Sequence, residues 1–140
     1  MYDFGSKEIV AWSVSERPDL AQQEEMLSML MATKPEGARP VPRSDMGRQY
    51  QHAIYVKALA DNGFTQSMSR RGDRVDDGAT EQVFGHPRDE SCRCGDWETF
   101  EEFKADLEAY IRHWNHVRRQ VRLKGLTPVE FREQALREAA

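Results

Sequence analysis

The sequence predicts an α/β domain whose C-terminal half is helical. Apolar patterns typical of strands and helices alternate over the first half of the 140 residues, and only helical patterns follow from about residue 78. Hydrophobic residues make up 39% of the chain and charged residues 31%, a balance that indicates one globular core. No apolar run approaches the roughly 18 residues of a transmembrane helix, and the N-terminus has no signal-peptide pattern. Cys92 and Cys94 are too close for an ordinary disulfide, so we expect a cytoplasmic protein.

The first elements are a strand, a helix and a second strand. Residues 7–15 predict a strand, because Ile9 and Ala11 belong to a partly alternating apolar pattern. A helix is expected from Pro18 to about Ala32, since proline suits the first helical turn. Residues 40–44 predict a short buried strand, and its two prolines weaken that signal.

The middle of the chain predicts a helix, a strand and a polar loop. Tyr50–Ala60 carries apolar residues at helical spacing, and Asn62-Gly63 is a helix-ending signal. Residues 64–68 alternate in polarity and predict a strand. A polar loop over 69–77 and a helix near 78–86 follow.

Two helices are expected in the last third of the chain. The longer runs from about residue 97 to 116, and Tyr110 and Trp114 are predicted to pack in the core instead of forming a base-stacking platform. The second runs over about 128–138, because Thr127-Pro128 combines an N-cap with a proline in the first turn.

Charge is segregated along the sequence, although the formal net charge is only −4. Residues 81–108 hold nine acids and three bases, whereas residues 109–126 hold five bases and no acid. A basic stretch of this kind can bind a polyanion such as DNA. It is also typical of a solvated helix end, where the helix dipole favours cations. Composition alone leaves both interpretations open.

Two acids have contexts that suit metal chemistry. Asp45 follows the predicted strand 40–44, and Glu81 lies near the start of the predicted helix 78–86, with 35 residues between them. This spacing alone does not indicate a site, because a chain with 24 acids contains many such pairs. An aspartate at a strand end is usually a turn residue, and a glutamate in the first turn usually serves the helix dipole.

The sequence segments around these acids, together with others along the chain, form an ordered set of motifs that spans nearly the whole chain. They are Ile9-Val10-Ala11-Trp12-Ser13-Val14-Ser15-Glu16-Arg17-Pro18, Ser44-Asp45-x-Gly47-x-Gln49-Tyr50, the segment from Gly63 to Gly72, Asp76-x-x-Ala79-Thr80-Glu81-x-x-Phe84, Tyr110-Ile111-x-x-Trp114-Asn115-x-x-Arg118-Arg119 and Lys124-Gly125-Leu126-Thr127-Pro128-x-Glu130-Phe131-Arg132. Together they resemble the catalytic core of bacterial insertion-sequence transposases of the insertion-sequence-3 group, which is similar to retroviral integrases.

The resemblance implies an RNase H-like fold and a triad of two aspartates and one glutamate. Residues 1–125 would form the core, and residues 126–140 its C-terminal helix. In the family, three carboxylates bind two divalent ions, Mg²⁺ or Mn²⁺, for DNA strand cleavage and transfer. Asp45 matches the second acid and Glu81 the third, at the family's spacing.

The family's first acid has no match in this chain. It lies on a strand that precedes the segment matching residues 9–15 by some tens of residues, upstream of Met1, and Asp3 matches a different family position. We therefore expect an N-terminally truncated core that lacks the first strand and is inactive alone. Whether this chain binds the ion stays open.

Other departures concern charge and the predicted helix that carries Glu81. Arg43 replaces a common histidine, and Arg48 adds a second cation near Asp45. Pro87 replaces a leucine inside the helix, where proline costs about 3 kcal/mol. The helix is therefore expected to kink or end near His86.

Five arginines are the candidate DNA contacts. Arg70 and Arg71 resemble the family's basic loop near the active site, with solubility as the alternative. Arg88 matches a family position expected to face DNA, and Arg118 and Arg119 belong to the C-terminal basic stretch.

Three hypotheses follow from the resemblance. The chain is an inactive transposase core, or a non-catalytic module that binds DNA or full-length transposase, or an enzyme whose missing strand comes from an upstream or frameshifted reading frame. The partners implied are transposon ends, target DNA and further transposase subunits.

Overall fold

The computed structural model of the chain describes residues 1–17, 19–68 and 97–139. The described residues form two compact units, one made of residues 1–10 with 97–139 and the other of residues 11–68. The predicted loop 69–77 and helix 78–86 lie outside the described residues.

The second unit begins with helix α1, Leu20–Thr33. Asp19 is its N-cap, because the Asp19 carboxylate accepts a hydrogen bond from the Gln22 amide at 2.9 Å. Leu27 and Leu30 are buried on its inner face. The predicted helix is confirmed to within one or two residues at each end.

Helix α2, Ala53–Asp61, follows a short 3₁₀ helix, Arg48–Gln51, and packs against α1. Tyr55 and Leu59 are its buried residues. The helix ends at Asn62, and Gly63 adopts a left-handed backbone conformation with φ +76°. The Asn62-Gly63 signal therefore ends the helix as the sequence predicts.

The strands of this unit form one parallel pair among the described residues. Strand β1, Arg43–Ser44, pairs with β2, Ser67–Met68, with Arg43 opposite Ser67. Hydrogen bonds extend the pairing backwards, because the Thr65 amide donates to the Pro40 carbonyl at 3.1 Å and the Ser67 amide donates to the Pro42 carbonyl at 2.9 Å. Both predicted strands are present but shorter than expected. Pro40 and Pro42 have no N–H group with which to complete the ladder.

The strand predicted over residues 7–15 is wrong. Within the described chain, Ile9 forms only an isolated antiparallel bridge with Tyr2, and residues 10–15 are irregular. The Asp3 amide donates to the Glu8 carbonyl, and the Val10 amide donates to the Met1 carbonyl. The other edge of this segment faces side chains of the long C-terminal helix instead of another strand.

That helix is α3, Phe100–His116, and it packs against α4, Pro128–Ala139. Thr99 caps α3 by accepting a hydrogen bond from the Glu102 amide at 3.2 Å. Tyr110 and Trp114 are 6% and 4% exposed, so their predicted place in the core is confirmed. The described helices include none whose length and apolar content suit a membrane span.

Helix α4 begins as its sequence predicts. The Thr127 hydroxyl accepts a hydrogen bond from the Glu130 amide at 3.3 Å, and the Glu130 carboxylate accepts one from the Thr127 amide at 2.9 Å. This reciprocal pair is a capping box, with Pro128 in the first turn. The Thr127 amide also holds the pKa of Glu130 below its usual value.

Candidate functional site

Asp45 directly follows β1, at the carboxyl end of the parallel pair. Its side chain is exposed, and Oδ1 accepts a hydrogen bond from the Gly47 amide at 2.9 Å. Oδ2 accepts none from the described residues. The loop edge where a parallel strand ends is a common position for binding groups in α/β proteins.

Hydrogen bonds fix the turn after Asp45. The Tyr50 amide donates to the Gly47 carbonyl at 3.0 Å. The side chain of Gln66 donates to the Tyr50 carbonyl at 2.8 Å, which ties the turn to the residue preceding β2. The motif from Ser44 to Tyr50 therefore builds a defined turn that presents one carboxylate to solvent.

The donor chemistry at Asp45 suits a hard divalent cation. Mg²⁺ and Mn²⁺ prefer carboxylate oxygens and retain open positions for water and phosphate. Asp45 supplies one such ligand, and the described residues contain no cluster of three potential metal-binding side chains. Glu81, the predicted partner, lies outside the described residues. Arg43 and Arg48, the cations near Asp45 in the sequence, are both exposed.

Of the five arginines predicted to contact DNA, the structure describes two. Arg70, Arg71 and Arg88 lie outside the described residues. Arg118 and Arg119 lie on a loop over residues 118–125, here called the basic loop, which follows α3.

The two predicted arginines of the basic loop make contacts within the protein. The Arg118 guanidinium is half-buried and lies over the Trp114 ring, 4.5 Å from its centroid. Arg119 Nη1 donates to the Gly125 carbonyl at 3.0 Å, and Nη2 is 3.7 Å from a carboxylate oxygen of Glu130. Both side chains therefore help to hold the loop in place.

The same loop presents two cations that were not singled out as site residues. Arg122 and Lys124 are exposed, and neither forms an ion pair with the residues that the structure describes. Lys124 and Gly125 have left-handed φ values of 57° and 80°, and the Gln120 amide closes the loop onto the Leu126 carbonyl at 3.1 Å. Both belong to the basic stretch that the sequence marks as a possible polyanion contact, although only Arg118 and Arg119 are predicted there as individual site residues.

The Trp114-Asn115 motif attaches the N-terminal segment to α3. Asn115 Oδ1 accepts a hydrogen bond from the Ile9 amide, and Asn115 Nδ2 donates to the Ile9 carbonyl, both at 2.9 Å. Trp114 Nε1 donates to the Lys7 carbonyl at 2.8 Å. One side-chain amide thus occupies the position that a neighbouring strand would take beside Ile9, and it covers an edge that would otherwise be unpaired.

A buried ion pair lies in the same unit. Arg132 of α4 is 3.0 Å from both carboxylate oxygens of Glu8, whose side chain is only 7% exposed. Burial raises the pKa of Glu8, the charge of Arg132 opposes that effect, and the pKa remains above its usual value.

Comparison with protein families gives a match to the integrase core domain over residues 81–136. The match includes Glu81, the basic loop and most of α4. No solved structure gives a significant match to the chain.

Curated relatives match almost the whole sequence. An uncharacterized transposase-like protein of Haemophilus influenzae is 39% identical over 134 residues, which cover 96% of this chain and 62% of that protein. The putative transposase of insertion sequence element IS150 of Escherichia coli is 35% identical over 132 residues, 94% of this chain and 47% of that protein. The probable transposase of IS1353 of Shigella flexneri is 31% identical over 126 residues, 89% of this chain and 24% of that protein. The chain therefore spans only part of the length of these relatives.

Proposed function

We propose that this chain, which is similar to transposases of insertion sequences, is the part of a transposase catalytic core that carries the second and third metal-binding acids, Asp45 and Glu81. The proposal includes an RNase H-like fold of the insertion-sequence-3 group, with residues 1–125 as the core and 126–140 as its last helix. The observation that carries it is the exposed Asp45 carboxylate after β1, within the motif Ser44–Tyr50.

The chain's own residues would have separate tasks in this function. The Gly47 amide donates to Asp45 Oδ1. Asp45 Oδ2, which accepts no hydrogen bond from the described residues, would bind the metal. Asp45 and Glu81 would hold Mg²⁺ or Mn²⁺. The ions supply activation of water or a DNA 3′-hydroxyl and stabilisation of the leaving oxygen. Arg70, Arg71 and Arg88 would contact phosphates of the bound DNA.

Two acids are fewer than the three that the family's chemistry requires, so we propose that the 140 residues alone do not join DNA strands. A strand-transfer assay with Mn²⁺ and plasmid target DNA tests this part of the proposal. Metal-dependent joining by the 140-residue chain that disappears in Asp45→Ala or Glu81→Ala would show that the chain is active by itself.

Substitution of Asp45 by asparagine is expected to weaken Mn²⁺ binding by about tenfold or more, because an amide oxygen replaces a charged ligand. Titration followed by the electron paramagnetic resonance of free Mn²⁺ measures this affinity. Asp61→Asn is the matched control: Asp61 is an exposed acid of α2 that pairs with Lys57 at 2.6 Å, and its loss should leave Mn²⁺ affinity unchanged. Equal affinities for wild type and Asp45→Asn would contradict the assignment.

A non-catalytic module that binds DNA or full-length transposase is the second candidate function. It is favoured by Arg122 and Lys124, which are exposed on a fixed loop and form no ion pair with the described residues. Phosphate contacts from two such cations need no third acid.

Replacing both Arg122 and Lys124 by glutamine is expected to reduce the dependence of duplex-DNA affinity on salt. Each lost phosphate contact reduces the magnitude of the negative slope of log K against log salt by about 0.9, so loss of the pair should reduce it by about 1.8. Fluorescence anisotropy at several salt concentrations measures the slope, with Lys57→Gln as an exposed control.

The predicted pair Arg118 and Arg119 is tested by their double alanine variant, and a slope equal to that of wild type would exclude those two arginines as phosphate contacts.

A further inference from the structure

The surface of helix α3 changes the sign of its charge along its length. Glu101 and Glu102 are exposed in the first turn, and Arg112 and His113 are exposed toward the end. Glu101 and Arg112 are about three turns apart on one edge of the exposed face, and Glu102 and His113 are about three turns apart on the other edge. One face of the helix therefore has an acidic end and a basic end.

The middle of this face carries small side chains. Ala105 and Ala109 are both exposed, and they lie four residues apart, about one helical turn. The buried residues Tyr110 and Trp114 belong to the opposite side of α3, so the exposed side is free to contact another helix without a change in the core. The α3 face is defined here as Glu101, Glu102, Ala105, Ala109, Arg112 and His113.

The charged ends of the α3 face have no ionic partner in the described part of the chain. The ion pairs found there involve other residues. Glu102 accepts a hydrogen bond from the Glu98 amide at 3.0 Å, which holds its carboxylate at the start of the helix. Two acids and a cation thus lie on one rigid helix with their charges uncompensated by the described residues.

We propose that the α3 face binds the same face of a second copy of the chain, with the two helices antiparallel. A two-fold rotation whose axis passes beside Leu107 places Glu101 of each copy beside Arg112 of the other, and Glu102 beside His113. The alanines meet in the middle, where small side chains allow helix axes to approach to about 8–10 Å. The helix dipole favours acids before bases within one helix, and an antiparallel partner turns that order into contacts between unlike charges.

The order of the charges favours a second copy over other partners. Glu101 and Glu102 repel DNA or an acidic peptide laid along the face, and Arg112 repels a basic peptide. A partner that suits both ends must carry the reverse order of charge. An antiparallel copy carries it by symmetry, because every contact in a two-fold interface occurs twice.

The association is expected to be weak, because the face is short. Glu101 and His113 are about 18 Å apart along the helix axis. One helix pair of this length buries less than the roughly 1,200–2,000 Å² of a stable complex. Sedimentation equilibrium of the whole chain from about 10 μM to about 1 mM, without DNA or metal, should therefore show a mass that rises from 16.2 kDa toward twice that value. Higher salt should reduce the rise.

Exchange of charge between the two ends is the decisive test. Glu101→Lys and Arg112→Glu should each weaken self-association by about tenfold or more, because each places like charges together twice in the dimer. An equimolar mixture of the two variants should associate about as well as wild type. In the mixed dimer both contacts again join a cation to a carboxylate, so the recovery cannot come from a change in folding.

Asp61→Lys on α2 is the matched control. Asp61 is an exposed helical acid of the other unit, and its substitution should leave the association as in wild type. The proposal is overturned if wild type keeps a mass of 16.2 kDa up to about 1 mM, or if the mixture associates no better than either variant alone. It is also overturned if Arg112→Glu weakens duplex-DNA binding but not self-association, which would assign the face to DNA. These results do not depend on Mn²⁺ binding at Asp45, so the proposed function stands or fails separately.

Discussion

Replacing Asn115 by alanine is expected to lower the free energy of unfolding by about 2–6 kcal/mol. Asn115 is 7% exposed, and its side chain satisfies both the amide and the carbonyl of Ile9. Alanine leaves these two buried backbone groups without partners, and each such group costs about 1–3 kcal/mol. Urea unfolding followed by circular dichroism measures the change.

Asn62→Ala is the matched control for this substitution. Asn62 is exposed, and its side chain donates one hydrogen bond to the Ala58 carbonyl at 2.8 Å. Its loss should cost about 1 kcal/mol or less, because water can replace the bond. If Asn115→Ala were no more destabilising than Asn62→Ala, the side chain would not be holding the N-terminal segment to α3.

Arg132→Gln is expected to lower the free energy of unfolding by about 2–4 kcal/mol near pH 7. This loss is slightly smaller than that from breaking a fully buried ion pair, because Arg132 is partly exposed. The substitution leaves the buried Glu8 carboxylate without its countercharge. Urea unfolding at about pH 7 and about pH 4 provides the measurement. Near pH 4 the difference from wild type should fall below about 1 kcal/mol, since protonated Glu8 needs no cation.

The direction of this pH dependence follows from the pKa of Glu8. Burial raises its folded-state pKa above the usual 4.5, and removing Arg132 raises that pKa further. A carboxyl group with a raised folded-state pKa stabilises the fold when protonated, below the unfolded-state pKa, and this stabilisation is lost as the pH rises through the folded-state pKa. The variant therefore loses most stability at neutral pH.

Arg137→Gln on the same helix separates this effect from a general loss of charge. Arg137 pairs with Glu133 at 3.4 Å, and the two side chains are 79% and 52% exposed. Such surface pairs contribute about 0–1 kcal/mol, so this variant should match wild type at both pH values. An equal loss of stability for Arg132→Gln at the two pH values would contradict the role assigned to Glu8.

Helix ends were predictable because their signals are local. Thr127, Pro128 and Glu130 lie within four residues and form the capping box that their order predicts. Asn62-Gly63 ends α2 for the same reason. By contrast, the strand predicted over residues 7–15 failed because Ile9 takes its partner from Asn115, 106 residues away along the chain. No local periodicity carries that information.

The candidate site was predictable to a similar degree. Resemblance to a family selected Asp45, and the structure shows its carboxylate exposed after β1. Composition selected the basic stretch but could not rank its members. Arg118 lies over Trp114 and Arg119 bonds to Gly125, whereas Arg122 is exposed without an ion pair to any described residue. Ring stacking and loop closure decide that ranking, and both depend on tertiary contacts.

We propose above that Asp45 and Glu81 belong to one site for divalent ions. Fe²⁺ can occupy an oxygen-ligand site of this kind, and with ascorbate and peroxide it generates radicals that cut the polypeptide close to the metal. Mass spectrometry of the fragments should show cuts near both Asp45 and Glu81, and both sets of cuts should disappear in Asp45→Asn but persist in Asp61→Asn. Cuts near only one of the two acids, or cuts that survive in Asp45→Asn, would contradict a shared metal site.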